Sequence, residues 1–188
     1  TTKDGLTSND VRAIVQGDDG QIWIGTSNGL NRFDGNRITN YYQGNKDGIK
    51  LNSNYGFELI KDINNILWLN DRSCLTRISL HQHTSKLLNQ FQDLFKISPY
   101  KNGVILTSSS GVFTVEDSIT NLNIAFEPYV TNKRTIDHYY GVVLDKKENI
   151  YLTSSIRVHK ISQEGLPRRQ ASLQEKYYQK QTKKGITN

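Results

Sequence analysis

The segment Gly20-Gln21-Ile22-Trp23-Ile24-Gly25-Thr26, continued by Gly29-Leu30-Asn31-Arg32-Phe33, has weaker copies further along the chain, and this repetition constrains the fold more than any other feature. Asn65-Ile66-Leu67-Trp68-Leu69, then Leu75-Thr76-Arg77-Ile78, repeats it with Trp68 in the place of Trp23. Gly103-Val104-Ile105-Leu106-Thr107 leads to Gly111-Val112-Phe113 with Ile105 at the tryptophan position. Asn149-Ile150-Tyr151-Leu152-Thr153 leads to Val158-His159-Lys160-Ile161 with Tyr151 there. The start of each unit recurs too, since Leu6-Thr7-Ser8-Asn9 is echoed by Leu51-Asn52-Ser53-Asn54. A spacing of about 45 residues indicates a propeller or a solenoid.

Within the first unit, Val11 to Val15 is rich in β-branched residues, and Asp18-Asp19-Gly20 follows as a turn in which glycine supplies positive φ. Ile22-Trp23-Ile24, Leu30 to Phe33 and Arg37 to Tyr42 complete four short strands separated by Ser27-Asn28-Gly29 and Asp34-Gly35-Asn36. Helix-pair solenoids are disfavoured because turn residues interrupt each run before about eight residues. The expectation is an all-β protein of four-stranded antiparallel meanders, each a β-propeller blade. The approximate repeats are 6–50, 51–91, 92–135 and 136–180, with 181–188 starting a further one, so about four blades form part of a larger propeller. Residues 85–95 read as an outer strand plus linker, and 172–179 as an outer strand.

Composition bounds the function. Hydrophobic content is 35%, and no apolar run nears the roughly 18 residues of a membrane span. The chain lacks methionine altogether, which fits a piece of a longer protein. Cys74, the one cysteine, rules out an internal disulfide and stands where the first unit has Gly29, as a packed small residue would. The net charge of +6 is carried by residues 157–188, where eight basic side chains face two acids. Glutamines dilute that stretch, so it reads as a solvated strand and linker, and no nucleic acid is expected as a partner.

Catalytic and metal chemistry finds little support. His81 and His83 lie two apart with no third ligand near in sequence, and Asp18-Asp19-Gly20 lacks the later acids of a calcium loop. Ser108-Ser109-Ser110-Gly111 lacks the Gly-x-Ser-x-Gly elbow and falls on a turn between second and third strands. The acids are scattered singly, with no glycosidase pair marked by spacing. Trp23 and Trp68, flanked by isoleucine and leucine, suit packing between blades better than stacking on sugars. No cofactor is implied.

Leu6, Ser8-Asn9, Val11, Asp18, Gly20, Ile22-Trp23-Ile24-Gly25-Thr26 and Gly29-Leu30-Asn31-Arg32-Phe33 together resemble the two-component regulator propeller repeat. Later units keep the apolar skeleton and lose glycines, with Asn70 at the Gly25 position, Cys74 and Arg157 at Gly29, and Glu148 at Gly20. The resemblance implies the periplasmic sensor region of a Bacteroides-type hybrid two-component system, whose parent is a membrane-anchored histidine kinase and response regulator. It further implies a non-catalytic piece responsive to glycans. A propeller lyase or hydrolase and a protein-interaction scaffold are the alternatives. Ligand contacts in propellers come from loops at one end of the channel. The turns after second strands and the connections into first strands share that end, which nominates Asn28, Arg72, Arg134, His138, Tyr139, Tyr140 and Arg157, with Asn9 and Asp10 beside them. Arg134, His138 and the tyrosine pair form the densest cluster and suit an acidic oligosaccharide. Four units without closure expose a blade face, so self-association through the open edges is expected.

Overall fold

A computed structural model describes residues 1–46, 48–56, 58–91, 93–116, 118–122, 139–154 and 158–162. Fifteen strands occur among them. The first sheet holds β1 (Val11–Gln16), β2 (Ile22–Thr26), β3 (Gly29–Phe33) and β4 (Ile38–Tyr41). The second holds β5 (Glu58–Lys61), β6 (Ile66–Asn70), β7 (Leu75–Ser79) and β8 (Thr84–Leu88). The third holds β9 (Leu94–Tyr100), β10 (Gly103–Ser108), β11 (Gly111–Val115) and β12 (Ile119–Asn121). The fourth, among the described residues, holds β13 (Gly141–Leu144), β14 (Ile150–Thr153) and β15 (Val158–Ile161). Every neighbouring pair is antiparallel and follows chain order, so each sheet is a simple meander. The outer strand expected within 85–95 ends at Leu88. Leu94 and Phe95 instead open β9, because Leu94 is buried in the second interface, where a linker residue would lie outside it. The expected outer strand at 172–179 lies outside the described residues.

First strands pack in succession, β1 beside β5, β5 beside β9 and β9 beside β13, and no comparable contact joins β13 to β1 among the described residues. Strand pairing shows why the sheets stack. Trp68 pairs with Ile60 and Arg77 as Trp23 pairs with Val15 and Arg32, which makes Leu59, Leu67, Leu69 and Ile78 equivalent to Ile14, Ile24's neighbour Ile22, Ile24 itself and Phe33 in turn. In the second blade this quartet is buried against Trp23 and Leu30 of the first. Ile97, Val104, Leu106 and Val115 repeat it against Trp68 and Leu75, and Val142, Ile150, Leu152 and Ile161 repeat it against Ile105 and Val112. Each blade therefore has a leading apolar quartet and a trailing face centred on the tryptophan position. Full burial of such a side chain is worth about 1.5–3 kcal/mol, so one interface supplies a large share of what holds two blades together. Trp23 and Trp68 are each 1% exposed, and packing is their role.

The turn before each second strand is shared as well. Six residues before Trp68 and Tyr151 stand Asp62 and Asp145, whose carboxylates accept backbone N–H groups of the turn and a hydrogen bond from the aromatic tip. In the first blade Gly17 holds that position, and Trp23 Nε1 has no acceptor among the described residues. Gly20, Asn65 and Glu148, three residues before the aromatic, have φ of 80°, 56° and 60°. The left-handed turn thus persists after glycine is lost. A cation lies over the aromatic in three blades: Arg32 over Trp23, Arg77 over Trp68 and Lys160 over Tyr151.

Candidate functional site

The inner strands border an open, shallow recess of about 430 Å³ that crosses all four blades. Arg12 comes from β1, Glu58 and Ile60 from β5, Phe95 and Lys96 from β9, and Tyr140 from the residue preceding β13. Strand geometry brings them together. Glu58 and Lys96 pair with Asn70 and Thr107, the register at which Ala13 pairs with Gly25, so successive blades project one equivalent position toward the same wall.

Two ion pairs and two aromatic rings furnish this wall. The Lys96 ammonium bonds Glu58 Oε1, while Glu58 Oε2 accepts the Ile97 N–H at 2.9 Å. The Arg12 guanidinium donates to Asp10 Oδ2 at 2.6 Å and lies 5.7 Å from the centre of the Tyr55 ring. Phe95 and Tyr140 meet edge to face at 5.0 Å, and Tyr140 keeps 47% of its surface exposed. Both cations are matched by carboxylates, so the wall is close to neutral yet dense in hydrogen-bonding groups. Aromatic faces beside paired charges and an aliphatic floor at Ile60 suit a ligand with many hydroxyls and apolar ring faces.

The residues nominated by sequence fall in different places. Asn28 and Arg72 are exposed in the turns after β2 and β6, and Tyr139 and Tyr140 lead into β13. These features share one end of the blades. Ser27 N–H bonds Asp10 O, Leu94 N–H bonds Arg72 O, and Tyr140 N–H bonds Thr153 O, each tying a second-strand end to the start of a first strand. Tyr140 lines the recess. Tyr139 is 2% exposed, sits in the core between the third and fourth blades and meets the His159 ring edge to face at 5.3 Å. Arg134, His138 and Arg157 lie outside the described residues. Asn9 is exposed and its Oδ1 accepts the Thr2 N–H, while Asp10 holds Arg12.

Arg12, Glu58, Phe95 and Lys96 were not nominated by sequence. Their signal was present: a charge or large ring inside a first strand is unusual unless the strand faces a solvated channel. His81 and His83 lie in the turn between β7 and β8, with His83 Nδ1 3.2 Å from the Arg32 guanidinium. Among the described residues no group of three potential metal ligands converges. Cys74 is buried, and burial together with the Asp71 carboxylate raises its thiol pKa above the ordinary value.

Comparison with known proteins follows the same lines. The sequence has no significant match among curated proteins. Among solved structures it is similar to the extracellular domain of BT4673 from B. thetaiotaomicron, described as a one component system, with a TM-score of 0.67 and 15% identity over 92% of this chain and 23% of that one. A second structure of the BT4673 extracellular domain, described as a hybrid two component system, is similar with a TM-score of 0.63 and 13% identity over 88% of this chain and 22% of that one. The chain thus spans under a quarter of the length of these structures, and the likeness concerns the fold. Residues 5–28 match the two component regulator propeller family model. That stretch, running from the start signal through β1 and β2, is similar to a two component regulator propeller repeat, and the chain has the fold of consecutive propeller blades.

Proposed function

We propose that this chain is a ligand-sensing, non-catalytic propeller region of a two-component signalling protein, placed outside the cytoplasm in the periplasm, and that it responds to an oligosaccharide. The observation that carries the reading is the recess over the inner strands, lined by the Phe95 and Tyr140 rings together with Arg12, held by Asp10, and the Lys96–Glu58 pair. Sugar rings present the same alternation of C–H faces and hydroxyl edges. Charged groups make stronger hydrogen bonds to hydroxyls than neutral ones do, and pairs already formed supply donors and acceptors side by side. The repeat in residues 5–28 and the propeller fold support the signalling context. A signal requires that the ligand prefer one arrangement of the parent protein over another, since equal affinity for both shifts nothing.

Both carboxylates beside the recess are engaged by cations, which favours binding over turnover. A thermal-shift screen with defined neutral and uronate-containing oligosaccharides tests the proposal. A ligand present at about 100 times its Kd adds about 2.7 kcal/mol of stability. At least one oligosaccharide is expected to raise the melting temperature, with Tyr140→Ala and Lys96→Ala reducing the shift while the glycan is recovered intact. No shift with any glycan, or glycan cleavage, would overturn it.

A further inference from the structure

Although its charges nearly cancel, the recess is uneven in the hydrogen-bonding capacity it leaves unused. Glu58 is the one acid among its described lining residues, and both of its oxygens are committed, Oε1 to the Lys96 ammonium and Oε2 to the Ile97 N–H. Its side chain is only 12% exposed. The two cations stand further forward, with 41% of the Arg12 side chain and 44% of the Lys96 side chain in water. An ammonium carries three N–H donors and a guanidinium five. Lys96 directs one of them to Glu58, and Arg12 donates to Asp10 through Nη2 alone. The lining thus combines spare donors with a carboxylate that is already engaged and set back.

From this we infer that the recess takes a glycan bearing carboxylates, an oligosaccharide of uronic acids, and that Arg12 is the residue that recognises the acid group. The inference rests on the oligosaccharide reading above and narrows it. A planar guanidinium presents parallel N–H groups that match the two oxygens of a carboxylate, whereas a hydroxyl engages only one of them. Arg12 is prepared for that contact. Asp10 fixes one corner of it at 2.6 Å, and the Tyr55 ring centre lies 5.7 Å from its central carbon, so little side-chain freedom is left to lose on binding. Asp10 balances its charge from outside the lining, so selectivity comes from directed hydrogen bonds and not from a net positive field. Lys96 on β9 supplies further donors for an adjoining sugar unit, while Ile60, Phe95 and Tyr140 supply apolar surface for ring faces. A cationic ligand is disfavoured because the acceptor it requires, Glu58, is taken.

Titration calorimetry on the full chain tests this with short oligomers of galacturonate, glucuronate and mannuronate, each beside its counterpart in which the carboxyl groups have been reduced to alcohols. At least one uronate is expected to bind about tenfold or more tightly than its reduced counterpart, the scale of a hydrogen bond to a charged group. Arg12→Gln should abolish that preference. Arg12→Lys, which keeps the charge and loses the fork, should lose most of it. Arg37→Gln, in the exposed turn between β3 and β4, removes a positive charge away from the recess and should leave the preference unchanged. Tryptophan emission confirms that each variant is folded. Equal affinity for every uronate and its reduced counterpart, or a preference that survives Arg12→Gln, overturns the inference and leaves the oligosaccharide reading standing. Absence of binding by every member of both series overturns the two together.

Discussion

Exchanging each tryptophan for phenylalanine separates two chemically different sites that share one position in the repeat. Trp68 Nε1 donates to Asp62 Oδ2 at 2.8 Å, and Asp62 is buried, with Oδ1 accepting the Asn64 and Ile66 N–H groups. Trp68→Phe leaves Oδ2 without its donor inside the protein. A hydrogen bond to a charged group contributes about 1.5–3 kcal/mol. Trp23 Nε1, equally buried, has no acceptor among the described residues, so Trp23→Phe removes a donor whose burial costs about 1–3 kcal/mol. Both variants lose a similar volume of indole from interfaces between blades, and that loss largely cancels in the comparison. Trp68→Phe is therefore expected to be the more destabilising by about 3 kcal/mol, a difference of roughly 6–12 °C in melting temperature for a domain of this size. Equilibrium urea unfolding reads it, because each variant keeps one buried tryptophan as reporter. Adding Asp62→Asn to Trp68→Phe should cost less than the sum of the single changes, since the two groups form one unit. Equal losses for the two tryptophans, or strict additivity with Asp62, would refute the reasoning.

Other outcomes follow from the same geometry. The Asp145 carboxyl is lowered from its ordinary value to about 2, first by the Asn149 side chain and then by the Asn149 and Lys147 N–H groups. A lowered folded pKa gives stability that is complete above the unfolded value near 4 and is lost as pH falls through about 2. Asp145→Asn should flatten that acid limb relative to wild type, in which Asp4 and Asp34 act in the same direction; an unchanged limb in pH-dependent melting would exclude the role. Cys74 should react with a thiol reagent only as fast as the protein opens, so the rate should rise with urea, and fast reaction of the native chain would contradict its burial. At Glu148, with φ 60°, glycine should be better accepted than alanine: both remove the side chain, and relief of about 1–2 kcal/mol of left-handed strain outweighs about 0.5–1 kcal/mol of added chain entropy, so Glu148→Gly should melt above Glu148→Ala.

The blades were legible because a sheet packed on both faces demands bulk at fixed places in every unit. Trp23, Trp68, Ile105 and Tyr151 share one register, and loss of the indole did not hide it. Asn65 and Glu148 show how a turn keeps its left-handed geometry without glycine, so matching chemistry alone would have missed them. Residues 85–95 were harder to divide because helical spacing competes with strand alternation there; Asp93, at φ 44°, marks the turn, and burial of Leu94 against the second blade fixes the start of β9. The recess was less legible. Arg12, Glu58 and Lys96 lie far apart in sequence and converge only because successive first strands pack side by side. Tyr139 and Tyr140 look alike as neighbours, yet strand alternation sends one into the core and leaves the other in the recess.

Backbone amide spectra recorded while a stabilising oligosaccharide is added bear most directly on the idea that recognition takes place over the inner strands. The expected result is perturbation concentrated at Arg12, Glu58, Lys96 and Tyr140, with the glycan unchanged at the end of the titration. Perturbation confined to outer strands such as Thr84–Leu88, or a shortened glycan, would contradict it.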